Sequence, residues 1–337
     1  MSPFQAKMAP GRPFRGVPTC FHARGDLIVL EDLRARGFRM ADRKAGLDVA
    51  HIEAALSLLA PLHALSLAAR AMQPELFECR IAEAVREVMF SPENEAWYRG
   101  YYKSASGAAC SIVADAFPSS EAYLRRLQSF TDDGFFQRMV DLVSAKWAKC
   151  CVNSSKVEAY EIPLVLCHGD CWTNNIMFRY DSPSDSPREI VEVCLLDFQM
   201  ARVGSPALDL ATLLYCCTTR DLRRAHLHRL LDLYHSWLQE TLEELVEDID
   251  VRASLLPKDI LTLEMARCSQ FGLGIALDMI PISTCDSDAA PDLYSSENSV
   301  EEVGGAEKFE LLKAPPSAEG RRRMSELVQE LVDNSYI

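Results

Sequence analysis

Two carboxylates and one amide stand in the sequence at spacings that suit phosphoryl transfer. Asp170 and Asn175 lie in the polar run GDCWTNN (169–175), and Asp197 closes an apolar stretch 27 positions after Asp170. Carboxylate and amide oxygens are hard ligands, which Mg²⁺ accepts together with water and phosphate oxygens. Transfer of a γ-phosphoryl group requires a positioned acceptor hydroxyl, a group that takes its proton, and a metal that neutralises the phosphate charge. These requirements assign the base to Asp170 and the metal ligands to Asn175 and Asp197.

The elements that must position these residues are short strands and tight turns. A strand-like apolar run (162–168) is followed by a polar loop (169–175) and a second extended run (176–178). Nine turn formers (181–189) and a β-branched alternating run (190–196) come next. The last three segments are typical of a β-hairpin. Such a hairpin returns Asp197 to the neighbourhood of Asn175, with Asp170 on the loop beside them.

A chain with 49 acidic residues contains many Asp-rich turns, so an Asp and an Asn five residues apart carry little weight alone. The conjunction of three segments is more specific: HGDCWTNNIMF (168–178), LLDFQMARVGSPALDLA (195–211) and LEDLRARGFRMADRKAGLD (30–48). On these segments the chain resembles the CHK kinase-like group, also called ecdysteroid kinase-like proteins, within the aminoglycoside phosphotransferase and choline kinase superfamily. The resemblance covers about residues 25–280.

The resemblance implies a protein-kinase-like α+β fold of the aminoglycoside phosphotransferase and choline kinase type. It has a mostly helical C-terminal lobe with a catalytic β-hairpin and a truncated small lobe. The expected organisation begins with an irregular N-terminal segment (1–24), a remnant of the small lobe with the hinge (25–33) and the large lobe (34–285). An acidic flexible loop (286–319) and a terminal helix (320–337) follow.

The resemblance also implies ATP and Mg²⁺ as cofactors and assigns roles to matching residues. Asp170 corresponds to the catalytic base, and Asn175 and Asp197 correspond to the magnesium ligands. The family's D-L-A aspartate braces the catalytic loop through the motif histidine, which suggests that Asp209 supports His168.

The E-D-L strand end corresponds to the inter-lobe linker that hydrogen-bonds adenine through its backbone, which implicates Glu31, Asp32 and Leu33. Ahead of it, a complete family member carries a phosphate-covering loop and a lysine that contacts the phosphates. Here Lys7 is the only lysine before Glu31, and GRPFRG (11–16) lacks the lysine and the following helix of a phosphate loop. Two expectations therefore stand: an active phosphotransferase, or a truncated, catalytically inactive kinase-like protein with a binding or regulatory role.

The implied substrate is the hydroxyl of a small molecule, an ecdysteroid or a related hydroxylated metabolite. The overall acidity is also compatible with a cationic substrate such as an aminoglycoside or choline, whereas Trp172 and the aromatic cluster WYRGYYK (97–103) suit a sterol equally well. Surface packing is the competing, favoured interpretation of that cluster. A metal-dependent hydrolase is a further alternative, but it leaves GSPALDLA (204–211) unexplained.

Composition excludes other classes of protein. A net charge of −14 opposes the phosphate neutralisation on which nucleic-acid binding depends. The nearest candidate for a membrane span, 54–69, contains Pro61 and His63, so no membrane partner is expected. The N-terminus has no apolar signal-peptide core, and 12 cysteines without C-x-x-C pairs fit neither a zinc module nor a disulfide framework. These features predict a cytoplasmic protein with no obligate protein partner.

Several cysteines are better explained by packing than by chemistry. The doublets 150–151 and 216–217 lie in apolar context that predicts buried helices, where cysteine behaves as a small hydrophobe. Cys167 and Cys171 flank His168, but adjacent ligands rarely converge on one tetrahedral metal and no fourth ligand is evident. A zinc site is therefore disfavoured.

The rest of the chain reads mainly as helices. Asp48 is expected to cap a helix that Pro61 kinks or breaks, and His63 on its apolar stripe is interpreted as a packed structural histidine. Further helices are expected over 120–149 (two, divided near 131–134), 223–250, 261–280 and 321–334, with a mobile loop over 286–305. Gly272 and Gly274 are expected to allow close approach of a neighbouring element.

Overall fold

A computed structural model describes residues 14–144, 146–152, 156–181, 189–285 and 317–337. The strands are β1 Cys20–Arg24, β2 Leu27–Leu30, β3 Phe38–Met40, β4 Trp147–Val152, β5 Lys156–Glu161, β6 Val165–Cys167, β7 Ile176–Tyr180, β8 Ile190–Leu195 and β9 Arg202–Gly204. The α-helices are α1 Val49–Met72, α2 Pro74–Phe77, α3 Glu95–Ala116, α4 Glu121–Phe130, α5 Phe135–Ser144, α6 Pro206–Cys217, α7 Arg220–Leu245, α8 Ile249–Leu255, α9 Lys258–Thr284 and α10 Ala318–Asp333. Short 3₁₀ segments cover Leu33–Arg36, Pro92–Asn94 and Thr173–Asn175, and a π-helical segment covers Glu78–Ala82.

The strands form small antiparallel sheets rather than one large sheet. β1 pairs with β2, β4 with β5 and β6 with β9, while β7 lies between β3 and β8. In the β7–β8 hairpin Ile176 faces Leu195 and Phe178 faces Val193, so the predicted hairpin is confirmed. Most of its expected turn, residues 182–188, lies outside the described residues. The register brings the end of β8 beside the start of β7, which is where the loop after β6 arrives.

Helix α1 forms the centre of the apolar core. Asp48 caps it by accepting a hydrogen bond from the His51 N–H at 3.0 Å, as predicted. The helix continues through Pro61 to Met72, so the prediction of a break there is wrong. The residues around the proline are buried against α7, and this burial outweighs the local cost of about 3 kcal/mol of a proline in a helix interior.

Among the described helices, α1 is also the one long and apolar enough to cross a membrane by length and composition. Within the fold, 72% of its apolar window is buried. The core helix of a globular protein meets the same criteria, so this feature is weak evidence for a membrane span.

The predicted division of 120–149 into two helices is confirmed by α4 and α5, which are separated at 131–134. The prediction is wrong after Ser144, because Trp147 begins β4 instead of ending a helix. The cysteine doublet 150–151 therefore lies on a strand and not in helical context. Pairing with β5, from Trp147 opposite Glu161 onward, supplies hydrogen bonds that the local sequence pattern does not reveal.

The C-terminal half consists of long helices packed through small residues. A Cβ added to Gly272 would lie 2.4 Å from Tyr215 Cδ2, and one added to Gly274 would lie 2.4 Å from Met139 Cε. The close approach predicted for both glycines is thus confirmed. The predicted terminal helix is α10, whereas the loop predicted over 286–305 lies outside the described residues.

The aromatic cluster 97–103 lies on α3. Tyr101 and Tyr102 are each 2% exposed and belong to the main core, so surface packing is the wrong interpretation for these two residues. Trp97 is half-buried and stacks on Tyr101 with ring centroids 5.0 Å apart.

Candidate active site

The loop after β6 carries the H-G-D motif and requires its glycine. Gly169 has φ +86°, in the left-handed region that favours glycine. A Cβ at this position would lie 1.8 Å from the Met200 carbonyl oxygen. The missing side chain therefore lets the loop touch the segment that follows Asp197, and it places Asp170 at the edge of that contact.

Asp209 holds this loop from the first turn of α6. Ser205 caps the helix by accepting a hydrogen bond from Ala207 N–H at 3.2 Å, so the Asp209 carboxylate lies near the positive end of the helix dipole. Its Oδ2 accepts the His168 N–H at 2.7 Å, and its Oδ1 accepts the Gly169 N–H at 2.9 Å. Asp209 thus contacts His168 as the resemblance implies, but through the histidine backbone and not through the imidazole.

The imidazole that does contact Asp209 belongs to His63 on α1. His63 is fully buried, with Nε2 3.1 Å from Asp209 Oδ2 and Nδ1 2.7 Å from the Tyr234 hydroxyl. Burial alone raises the pKa of Asp209, but the hydrogen bond from His63 and the N–H of Gly169 outweigh it and hold that pKa below its usual value. The sequence interpretation of a packed structural histidine missed this partner. The available signal was a histidine on an apolar helix face, since a buried imidazole requires hydrogen-bond partners.

The His168 imidazole connects the loop to the end of β8. Its Nδ1 accepts the Asp170 N–H at 3.2 Å, so Nε2 carries the proton and donates to the Leu196 carbonyl oxygen at 2.8 Å. The ring also packs against Phe198, with centroids 4.4 Å apart. The H-G-D and D-F segments are therefore joined by one buried side chain.

The three residues proposed from the sequence for chemistry meet at this junction. Asn175 Nδ2 donates to the Asp170 carbonyl oxygen at 3.0 Å and to its Oδ2 at 2.8 Å. The Leu196 N–H donates to the Asn175 carbonyl oxygen at 2.8 Å, which places Asp197 one residue further along. Burial raises the pKa of Asp170, and the negative charge of Asp197 adds to this effect.

Asp197 adopts a backbone conformation that is rare for its residue type. Its φ is +60° and its side chain is exposed. Non-glycine residues in the left-handed region cost of order 1 kcal/mol or more and cluster at functional sites. The conformation turns the chain sharply after β8, so that the carboxylate projects from the junction with Asn175.

The donor set at this junction fits Mg²⁺. The two hydrogen bonds from Asn175 Nδ2 direct its amide nitrogen toward Asp170, so the amide oxygen Oδ1 is the atom of Asn175 that would bind a metal. Within the described ranges no group of three or more His, Cys, Asp or Glu side chains is placed to hold a metal. Mg²⁺ commonly binds through one or two protein oxygens plus waters and substrate phosphates, so a sparse donor set is appropriate.

The hinge residues implied by the resemblance are partly occupied by the protein itself. The Glu31 N–H donates to the Thr19 carbonyl oxygen at 2.9 Å, and its carboxylate accepts from Arg36 at 2.8 Å, which lowers its pKa to about 2. Asp32 caps the following 3₁₀ segment, and Leu33 is buried beneath the hairpin. Of the three predicted adenine contacts, the backbone groups of Asp32 and Leu33 are the better candidates.

Cys167 and Cys171 are fully buried on either side of the loop. Burial raises the pKa of both thiols well above the usual range. Because the thiolate is the form that binds metals, this environment favours core packing for both residues.

Comparison with known proteins adds one finding. The model of the ecdysteroid kinase-like family matches residues 1–247, which include the loop after β6, Asp197 and Asp209. No curated protein matches the chain. The matched range covers well over half of the chain and ends just after α7, so α8, α9 and α10 lie beyond it. Together with the α+β architecture, the match confirms the kinase-like fold class.

Proposed function

This chain belongs to the ecdysteroid kinase-like family, and we propose that it is an ATP- and Mg²⁺-dependent phosphotransferase acting on a hydroxyl of a small molecule. Membership itself indicates kinase-like phosphotransferase chemistry on small molecules. The nucleotide, the metal, the catalytic competence and an ecdysteroid or related hydroxylated metabolite as acceptor are the parts that we add.

Asp170 is the proton acceptor in this reaction. The acceptor oxygen forms a bond to the γ-phosphorus, the bond from that phosphorus to the bridging oxygen breaks, and ADP leaves. The proton of the acceptor hydroxyl passes to Asp170, whose Oδ2 accepts a hydrogen bond from Asn175 Nδ2 at 2.8 Å. A carboxylate whose pKa is raised by burial is the stronger base.

Asn175 and Asp197 would hold Mg²⁺, which when bound neutralises charge on the phosphates. Asn175 performs two tasks, because its amide nitrogen orients the base and its amide oxygen is left for the metal. The observation that carries the proposal is this double hydrogen bond, which ties Asp170 to the junction where Asp197 emerges.

A second candidate is ligand binding or regulation without phosphoryl transfer. It is favoured by the hinge segment, in which the Glu31 N–H is already bonded to the Thr19 carbonyl oxygen and the Asp32 carboxylate caps the following 3₁₀ segment, so fewer groups are left to hold a nucleotide.

A thermal-shift titration with ATP, with and without Mg²⁺, separates the two candidates. A ligand at a hundredfold excess over Kd stabilises the folded protein by about 2.7 kcal/mol, which is a measurable shift. We expect a Mg²⁺-dependent shift in the wild type that Asp197→Asn removes and Asp170→Asn retains. Asp170→Asn should abolish phosphoryl transfer to the acceptor.

Two results would contradict the proposed phosphotransferase activity or the role of Asp170 in it. Retained transfer by Asp170→Asn would exclude this residue as the base. A cooperatively melting wild type that does not respond to ATP and Mg²⁺ would favour the second candidate.

A further inference from the structure

A buried arginine contacts the segment on which the loop after β6 rests. Arg202 begins β9, where its backbone pairs with Cys167 at the end of β6. Its side-chain Nε donates a hydrogen bond to the Met200 carbonyl oxygen at 3.4 Å. The same oxygen lies against Gly169, where an added Cβ would be only 1.8 Å away from it. The Arg202 side chain therefore holds the carbonyl group that touches the residue before Asp170.

The counter-ion of Arg202 comes from the segment before α3. Glu87 places Oε2 3.0 Å from Arg202 Nε, which is the distance of an ion pair. Its Oε1 accepts hydrogen bonds from the Met89 and Phe90 N–H groups, at 2.9 and 2.8 Å. The guanidinium carbon of Arg202 also lies 5.5 Å from the centre of the Phe271 ring on α9. Two distant segments thus fix the orientation of the arginine.

This ion pair is incompletely hydrogen-bonded. Arg202 is 3% exposed, yet its two terminal nitrogens have no hydrogen-bond partner among the described residues. Glu87 Oε2 is buried and accepts no hydrogen bond from that part of the chain either. The attraction within a buried ion pair repays the desolvation of both charges only when the remaining donors and acceptors are hydrogen-bonded. A contribution to stability is therefore a poor explanation for this pair.

We propose that the Arg202–Glu87 ion pair positions Asp170 for phosphoryl transfer, with Arg202 acting as a positioning residue and not as a catalytic one. Glu87 orients the guanidinium, the guanidinium holds the Met200 carbonyl oxygen, and that oxygen supports the loop after β6. This inference rests on the proposed function, because it adds a residue to the same site.

The contact between Met200 and Gly169 sets the relative position of the two carboxylates. Asp170 directly follows Gly169, and Asp197 lies three residues before Met200. A shift at this contact therefore changes the distance between the proposed base and the proposed metal ligand. A displacement of about 1 Å at a catalytic centre can lower the rate about 100-fold.

The test is a double variant of the full chain that removes both charges, Arg202→Met with Glu87→Gln. Glutamine keeps an acceptor oxygen for the two N–H groups that Glu87 binds. The matched control is Arg223→Met with Glu330→Gln, which removes a buried ion pair between α7 and α10. In that pair every guanidinium nitrogen donates a hydrogen bond, so its removal should cost more stability.

Three quantities are measured for each variant. They are Tm, amide hydrogen exchange over 168–175 and 196–201, and kcat and KM for transfer from ATP to ecdysone as the acceptor. The single variants Arg202→Met and Glu87→Gln are included, and each should melt at a lower temperature than the double variant, because one buried charge is left without its partner.

In the double variant we expect exchange over the two ranges to be about tenfold faster. We expect kcat to fall about 10- to 100-fold, with a much smaller change in KM. The control pair should lower Tm further but leave both the exchange of these ranges and kcat unchanged. Arg202→Lys, which keeps a charge opposite Glu87, should recover part of kcat.

Two results would overturn the inference. One is wild-type exchange over 168–175 and 196–201 in the double variant, and the other is a kcat that falls in proportion to Tm in both pairs. If the double variant does not melt cooperatively, the exchange of Arg202→Lys decides, and exchange equal to that of the wild type would reject the role of Arg202. Faster exchange in the double variant, without any transfer by the wild type, would uphold the role of Arg202 in placing the loop and reject the proposed phosphoryl transfer.

Discussion

Replacing Asp209 with asparagine should loosen the catalytic loop without changing the size of the side chain. The carboxylate accepts three hydrogen bonds: from the His168 N–H, the Gly169 N–H and His63. An asparagine has one acceptor oxygen, so its NH₂ group must face one of the two backbone N–H groups. At least one buried donor then loses its partner, whichever way the amide is turned.

The expected cost follows from this count. A buried donor left without a partner costs about 1–3 kcal/mol, and hydrogen bonds to a charged acceptor are the stronger ones. Asp209 is 1% exposed, so water cannot replace the lost acceptor. We expect Asp209→Asn to destabilise the protein by about 3 kcal/mol, which lowers Tm by roughly 4 °C in a chain of this size. Phosphoryl transfer should fall with it, since Asp170 is carried by the same loop.

The contribution of Asp209 to stability depends on pH, and its lowered pKa sets the direction of that dependence. The pKa of Asp209 is lower in the folded protein than in the unfolded chain, so its contribution is present above the unfolded value of about 4. That contribution is lost as the pH falls through the lower folded pKa. The difference in stability between the wild type and Asp209→Asn should therefore be largest at neutral pH and narrow below pH ~4.

Thermal and urea denaturation of four variants checks this reasoning: Asp209→Asn, Asp197→Asn, His63→Phe and the double variant of His63 and Asp209. Asp197→Asn is the control for an exposed carboxylate and should change stability by no more than about 0.5 kcal/mol. His63→Phe combined with Asp209→Asn should be less destabilising than the two single changes added together, because both remove the same buried contact. Two results would contradict the role of Asp209 in holding the loop after β6. One is a Tm of Asp209→Asn within 2 °C of the wild type. The other is a double variant whose loss of unfolding free energy equals the sum of the losses in the two single variants.

Three further predictions concern other parts of the fold. Gly169→Ala should abolish activity and lower stability, because Gly169 has φ +86° and an added Cβ would lie 1.8 Å from the Met200 carbonyl oxygen. Gly107→Ala is the control: it lies on α3 with open space around it and should stabilise the protein by about 0.5–1 kcal/mol. Measurements of Tm and of activity check both variants. Burial raises the pKa of Asp278 from 3.8 to about 7, so the folded protein binds a proton that the unfolded chain releases between these two values. The stability of the wild type relative to Asp278→Asn should therefore fall by up to about 4 kcal/mol as the pH rises from 4 to 7. Urea denaturation at each pH measures this difference. Glu330→Gln should cost about 3 kcal/mol in the same assay, because it leaves the Arg223 guanidinium, 2% exposed, without its carboxylate 2.7 Å away.

The parts of the site that sequence reasoning predicted are those specified by neighbouring residues. The hairpin was predictable because alternation, turn formers and strand spacing are local patterns, whereas the register that pairs Ile176 with Leu195 came from the structure. The loop carrying Asp170 and Asn175 was predictable because a polar run cannot continue an apolar strand. The brace from Asp209 was implied by resemblance, but its hydrogen bonds to backbone N–H groups required coordinates.

The parts that failed depend on contacts between distant segments. Pro61 does not break α1, since burial against α7 outweighs a local backbone cost. Trp147 begins a strand because β5 pairs with it, and nothing in the preceding helical pattern predicts that partner. Asp278 and His63 had no motif, because their environments are created by helices more than a hundred residues apart in the chain.

The hydrogen bonds around Asp209 connect the proposed chemistry to the main core. The Tyr234 hydroxyl on α7 contacts His63 on α1, His63 contacts Asp209 on α6, and Asp209 holds the loop through His168. His168 then donates to the end of β8 beside Asp197. The contacts among Tyr234, His63, Asp209 and His168 are buried, and the contact between His168 and Leu196 is part-buried. We therefore expect a substitution that shifts α1 against α7 to displace Asp170, the proposed base, so that it lowers phosphoryl transfer as well as stability.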